Sequence, residues 1–383
     1  MTHALVLPPD ETPTRTVATL LRAYARLLQR RLLEDAPHAV TTRLAALAKE
    51  DAATHEAVIA APTVSVLVQT ERANDALPSL ALELARRGLL GARVRFAAPV
   101  APLVSQTLGL VVRPPPGTEL VVEDGVLVVG GERIDLADGA RALAAHPTAE
   151  AAFARITEGI TLALHDPNPL AMFEAHPEKQ GNALSLGGRP VSDWTDALGR
   201  AMALIERHLP ALAEEMRLLL DLVIPVGWEP ERHFSASYRE YIGAVYVTLH
   251  PNVSVLAEAL VHEFQHNKLN LLLWHYPVLV NGYDFLYKSP VRPDPRPLMG
   301  ILLAAHAFVP VAELYTRMRA DGDKSIETRL ADVIGKNEEA LAVLGEHGEP
   351  DAAGRALLDE LGARHAVHRQ VLLARPTAVT HEA

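Results

Sequence analysis

The chain of 383 residues contains no cysteine. That absence excludes disulfides, iron–sulfur clusters, thiolate zinc sites and a cysteine nucleophile together, and it fits a reducing compartment. An excess of positive charge is missing too: 36 Lys and Arg stand against 47 Asp and Glu, for a net charge of −11. Nucleic-acid binders neutralise phosphates with a basic surface, so that class is set aside. Arginine outnumbers lysine without forming a basic stripe. The opening MTHALVLPPDETPTRT has no basic start followed by an apolar core, so no secretory signal is expected. The longest apolar runs, such as LNLLLW at 269–274, are far too short to span a bilayer. A cytoplasmic protein with neither membrane nor nucleic acid among its partners is the expectation.

What is present reads as globular. Hydrophobic residues make up 49% and charged residues 22%, the ordinary balance of a folded soluble chain. Helical spacing runs through 14–61, where Val17, Leu20, Leu21, Tyr24, Leu27 and Leu28 recur every three or four positions, and again through 75–90. Short Val and Leu runs broken by PPPG, EDG and GG over 108–136 predict two or three antiparallel strands. Helix is expected again over 139–162, irregular chain over 166–192, and a helix over 193–222 capped by Ser192. A β-rich run at 234–252 leads into a helix from about Val253 to Trp274. A proline-laden loop, a helix at 299–319 and a charged helical tail at 325–373 follow. The expected division is an N-terminal helical and small-β region (1–145), a metal-dependent catalytic core (146–345) and a C-terminal helical extension (346–383). The first region has no catalytic motif, which leaves it open to a peptide-binding role.

The most specific stretch is VHEFQHNKLN at 261–270. Residues four apart lie one turn apart on the same helix face, so His262 and His266 can present two imidazoles to one ion. Glu263 is turned partly toward the same place, where it can act on a metal-bound water or hold an imidazole. Val255, Leu256, Leu260, Val261, Phe264, Leu269, Leu272 and Leu273 leave this helix little solvent face. Polar groups in such a helix need partners, and a metal supplies them. A five-residue motif also arises by chance, so its weight comes from this setting.

Two histidines do not complete a site. The metzincin pattern would place Gly at 269 and His at 272, and both positions are leucine. On the next long helix, His306 and Glu313 lie seven residues apart and near one face, so either can serve as third ligand. His306 sits among Leu302, Leu303, Ala304, Ala305, Ala307 and Phe308, where a histidine is otherwise a core residue bonded to a carbonyl. With zinc in place and Glu263 as general base, the chemistry is peptide hydrolysis by an activated water. The strand 241–249 would then pair with substrate. That zinc metallopeptidase is the alternative reading.

More of the sequence fits a different family. FSASYREYIGAVYVTL (234–249), LAEALVHEFQHNKLN (256–270), SPVRPDPRPLMGILLAAHAF (289–308) and VAELY (311–315) together resemble the HExxH motif-containing peptide-modification proteins of ribosomally synthesised peptide pathways. The likeness is good over about 234–319, with fainter echoes back to DPNPL near 166. It implies an α+β, mainly α-helical fold: a zincin-like core with an HExxH helix, a second ligand-bearing helix and a small antiparallel sheet. It implies an Fe(II)- and 2-oxoglutarate-dependent oxygenase that uses O2 to hydroxylate the β-carbon of a residue in a precursor peptide. His262, His266 and His306 would then hold iron, with Glu313 able to restore a two-histidine, one-carboxylate set. Arg292 or Arg296, in the stiff SPVRPDPRP loop, would anchor the distal carboxylate of 2-oxoglutarate. Ser235 and Ser237 are either co-substrate contacts or turn residues.

Overall fold

A computed structural model describes residues 5–8, 15–97, 101–136, 143–173, 175–176 and 179–373. The fold is α+β and mainly helical, with about 52% helix and several small sheets. It divides into two compact units, each assembled from separated stretches of chain. One comprises 17–201 and 216–256, the other 1–16, 202–215 and 257–383. These units cross the boundaries expected at 145 and 345, because what packs together is not contiguous in sequence. The C-terminal helix Ala352–Leu373 is no appendage. Its Glu360 carboxylate accepts the backbone N–H groups of Leu5, Val6 and Leu7 at 2.8, 3.2 and 3.2 Å, tying the two ends of the chain together.

The sheet-bearing unit opens with five helices, Arg15–Asp35, Ala39–Glu50, Ala52–Ile59, Pro62–Gln69 and Ala73–Arg86. The helical run expected at 14–61 is cut where polar side chains compete for backbone donors. His38 accepts from the N–H of Val40 and Asp51 from that of Thr54, so each caps a new helix. The strands expected within 108–136 are present: Leu110–Val112, Leu120–Glu123, Val126–Val129 and Glu132–Asp135. The last three form antiparallel hairpins.

The helix expected over 139–162 is corrected. Residues 137–142 lie outside the described residues, and beyond them the chain forms strands Ala149–Ala151, Phe153–Thr157 and Ile160–Ala163. The alanines of this stretch read as helix, but the Glu158–Gly159 turn between β-branched residues makes a hairpin with Thr157 facing Ile160. The long helix expected at 193–222 is also divided. Val191–His208 ends before Pro210, which opens a second helix, Pro210–Leu219, as a first-turn proline. Ser192 therefore falls in the first turn and not before it.

Leu222–Trp228, which begins where that helix was expected to end, is the central strand of a five-stranded mixed sheet. The order is 235–236, 244–249, 222–228, 160–163, 153–157, with the inner pairs parallel and the two edges antiparallel. Every residue of Ala244–Leu249 is buried, as inner strands covered on both faces require.

The other unit is helical. Leu298–Ala320 packs against Glu327–His347 and Ala352–Leu373. By length and composition Leu298–Ala320 passes for a membrane span, yet 83% of its apolar window is buried inside the fold, the pattern of a core helix. A close approach locks this unit. A Cβ on Gly354 would lie 1.9 Å from the carbonyl oxygen of Val278, whose backbone is left-handed at φ 64°. The loop is held there by Asp351, whose N–H donates to Val278 O at 3.1 Å. Gly354→Ala is therefore expected to cost about 3 kcal/mol or more, as forced overpacking does. The urea midpoint measures it; an unchanged midpoint would mean that the 277–279 loop shifts freely.

Candidate metal centre

Strand Ala244–Leu249 runs through His250, Pro251 and Asn252 into the helix Val253–Leu273. Asn252 starts that helix: its side-chain oxygen accepts the N–H of Ser254 at 2.8 Å, and its carbonyl accepts that of Leu256 at 3.3 Å. From Ala257 onward the helix has almost no wet face. Leu260, Val261, Phe264, Leu269, Leu271 and Leu272 are buried, and so are the polar Glu263, Gln265, Asn267, Lys268 and Asn270.

Those buried polar groups are answered in different ways. Lys268 Nζ meets Glu215 Oε2 at 2.7 Å, with side chains 3% and 1% exposed. Asn267 Nδ2 donates to the Glu263 carbonyl at 3.1 Å. Gln265 is fully buried, and neither end of its amide has a hydrogen-bond partner among the described residues. Nor has the buried Nδ1 of His266.

The expected pair comes together. One potential ligand atom each from His262, Glu263 and His266 lie within 4.8 Å of one another. The imidazoles stand nearly perpendicular, at 85° with centroids 4.5 Å apart, as two side chains one turn apart do when aimed at a common point. Burial pushes the His266 imidazole down to about 4, so it is neutral at pH 7 and keeps a lone pair for a cation. Two imidazoles and a carboxylate are a donor set suited to first-row transition metals.

His306 and Glu313 are engaged elsewhere. His306 is not part of the three-residue group. Its Nε2 lies 3.0 Å from the Leu5 carbonyl, an acceptor, so Nε2 carries the proton and only Nδ1 has a lone pair. Burial above all brings this imidazole down to about 3, with Lys268 and His266 acting in the same direction and the Leu5 carbonyl against it. Glu313 accepts from His368 Nε2 at 2.7 Å and from Arg317 Nε at 2.8 Å. The His368 hydrogen bond above all holds its carboxyl at about 2.

Arg292 and Arg296 share one carboxylate. Arg292 Nε lies 3.3 Å from Asp294 Oδ1, and Arg296 Nε 3.0 Å from Oδ2. The loop is fixed by Ser289 Oγ, which accepts the N–H of Arg292 at 3.1 Å, and by the pairing of Arg296 with Tyr287. Two guanidinium groups around one carboxylate leave a positive charge over. Ser235 and Ser237 belong to the sheet-bearing unit. Ser235 sits opposite Val247 on the edge strand, and the buried Ser237 Oγ makes no hydrogen bond among the described residues.

Sequence reasoning missed a polar cluster on the same helix. One turn earlier, Glu258 accepts from Tyr315 Oη at 2.5 Å and from Arg329 Nε at 3.0 Å, and the second Glu258 oxygen takes another Arg329 nitrogen. Phe308 packs its ring 4.6 Å from that of His262, with the Arg329 guanidinium 5.9 Å from the Phe308 centroid. Glu258 was open to inference from its place four residues before His262 on one face. Arg329, 71 residues from Glu258, carried no such signal.

No protein-family model matches this chain, and no curated protein matches it.

Proposed function

We propose that this chain is a cytoplasmic Fe(II)- and 2-oxoglutarate-dependent oxygenase that hydroxylates the β-carbon of a residue in a ribosomally synthesised precursor peptide, on a zincin-like core. The observation that carries the reading is the group formed by His262, Glu263 and His266 on a helix with almost no wet face. A two-histidine, one-carboxylate set is the usual holder of non-haem iron and leaves positions for a keto acid and oxygen. In this assignment Glu263 is the third donor, in place of the His306 or Glu313 expected from sequence. When bound, iron would be the place where O2 acts as oxidant, with two electrons drawn from 2-oxoglutarate, which would leave as succinate and carbon dioxide, and two from the substrate C–H bond, which would become C–OH.

The chain's own residues do the holding. His262 and His266 bind through neutral imidazoles, with Phe308 packed against the His262 ring. Arg292 and Arg296 offer a guanidinium for the distal carboxylate of the keto acid. The loop between the metal helix and these arginines exposes Val280, Tyr283, Phe285 and Leu286, apolar surface of the kind that receives a polypeptide.

Arg292→Ala or Arg296→Ala is expected to raise the KM for 2-oxoglutarate by about tenfold or more, with iron content unchanged. Equal keto-acid use by both single variants and the wild type would remove the anchor.

One observation favours the zinc peptidase: Glu263 beside the histidine pair is where a general base for a metal-bound water would stand. That use of Glu263 leaves two protein ligands where zinc enzymes use three. Glu263→Gln separates the readings. Loss of bound metal together with activity supports Glu263 as donor. Full metal retention with loss of peptide hydrolysis supports the peptidase and contradicts the oxygenase.

A further inference from the structure

A cleft of about 670 Å³ lies within the sheet-bearing unit, independent of the metal centre. Asp221 stands in its wall, just ahead of the central strand Leu222–Trp228. The backbone of Asp221 is saturated. Its N–H donates to the Gly243 carbonyl at 2.9 Å, which also takes the N–H of Leu222 at 3.0 Å. Its carbonyl accepts three donors: Thr161 N at 2.8 Å, Thr161 Oγ1 at 3.2 Å and Gln106 Nε2 at 3.4 Å.

The carboxylate is treated differently. Among the described residues it accepts no hydrogen bond and pairs with no cation. Burial alone pushes it up to about 7. A peptide group held by four hydrogen bonds beside a carboxylate held by none is an arrangement the fold does not need for itself. Asp221 is half-buried, so its carboxylate is open to the cleft and to whatever occupies it.

The other charges of the cleft do not fill the role. Arg87 is spent on Glu83, donating to its carbonyl at 2.8 Å and to its carboxylate. Glu83 also accepts from Thr107 at 2.7 Å and from Ser105. Arg155 and Glu158 are exposed. The remaining wall mixes Val58, Val64 and Val104 with Thr63, Gln106, Thr157 and Thr161. With the Glu83 carboxylate taken by Arg87, Ser105 and Thr107 and Glu158 at the exposed rim, Asp221 alone is too poor in oxygen donors for a divalent ion, which takes six or so. It suits a cationic head on an alkyl stem. Its volume falls within the range of small-ligand sites, about 300–1,000 Å³.

We infer that this cleft is a second binding site, which takes a small organic cation of the alkylammonium or guanidinium class through an ion pair with Asp221.

The test is calorimetric titration of the full chain with Nα-acetyl-lysine amide and Nα-acetyl-arginine amide, against the uncharged Nα-acetyl-norleucine amide. One or both cations should bind, with the neutral analogue about tenfold weaker or more. Asp221→Asn, which keeps the shape and removes the charge, should weaken cation binding by about tenfold or more. His266→Ala should leave it unchanged, so that failure of the metal centre and failure of this site are told apart. If Asp221→Asn does not fold, as judged by its thermal transition, Thr157→Trp at the cleft wall should abolish binding instead. No binding of either cation at millimolar concentration, equal binding of the neutral analogue, or undiminished binding by the variants overturns the inference.

Discussion

His266→Ala is expected to strip the protein of Fe(II), with a loss of affinity beyond the roughly 10–100-fold that removing an outer-shell partner costs. His266 is one of the three proposed donors, and its buried Nδ1 finds no hydrogen bond among the described residues. Alanine removes the imidazole while favouring the helix, so the variant should fold. His262→Ala should behave alike and also free the face of Phe308, whose ring lies 4.6 Å from that of His262. His306→Ala should retain iron, because that imidazole is committed through Nε2 to the Leu5 carbonyl. Equilibrium dialysis followed by elemental analysis reads all three. Iron retained by His266→Ala, or lost from His306→Ala with the fold intact, would contradict the assigned donors.

The second large effect concerns stability. Lys268 and Glu215 form an ion pair with almost no exposed surface, and Lys268 Nζ also reaches the Val6 carbonyl at 3.3 Å. Burial raises the Glu215 carboxyl while Lys268 lowers it, so the lysine is what keeps this carboxylate charged. Lys268→Met leaves a buried carboxylate without its cation and is expected to cost about 3–5 kcal/mol. Replacing both partners, as Lys268→Met with Glu215→Leu, should recover most of that loss, since an apolar pair of similar volume carries no desolvation cost. Denaturant midpoints of the two variants decide it. A single variant as stable as the wild type would mean that water reaches the pair.

The elements legible in the sequence were those whose pattern needs no tertiary context. Helix Val253–Leu273 declared itself through its apolar residues, and the hairpins of 120–135 through EDG and GG. Where the chain was misread, local composition pointed one way and pairing partners the other. Phe153–Thr157 and Ile160–Ala163 lie in an alanine-rich stretch, yet they extend a sheet whose centre, Leu222–Trp228, comes some 60 residues later. Neither strand can be read without the other.

The candidate metal centre divides in the same manner. The His262, Glu263 and His266 group was visible because one helix turn encodes it. The commitment of His306 to Leu5 was not, since 301 residues separate the two in sequence. Glu313 looked available as a ligand until His368, 55 residues further on, was found to donate to it. Asp221 gave no signal either: its place in the cleft wall depends on Thr161 and Gln106, 60 and 115 residues away in sequence.

In the proposed site, His262, Glu263 and His266 hold an iron to which 2-oxoglutarate binds. The most direct measurement is the visible absorbance of the anaerobic protein on adding Fe(II) and then the keto acid, which needs no knowledge of the peptide. A charge-transfer band that requires both additions, and is absent from His266→Ala, is the expected result. Tight zinc binding with no band under any order of addition would contradict it.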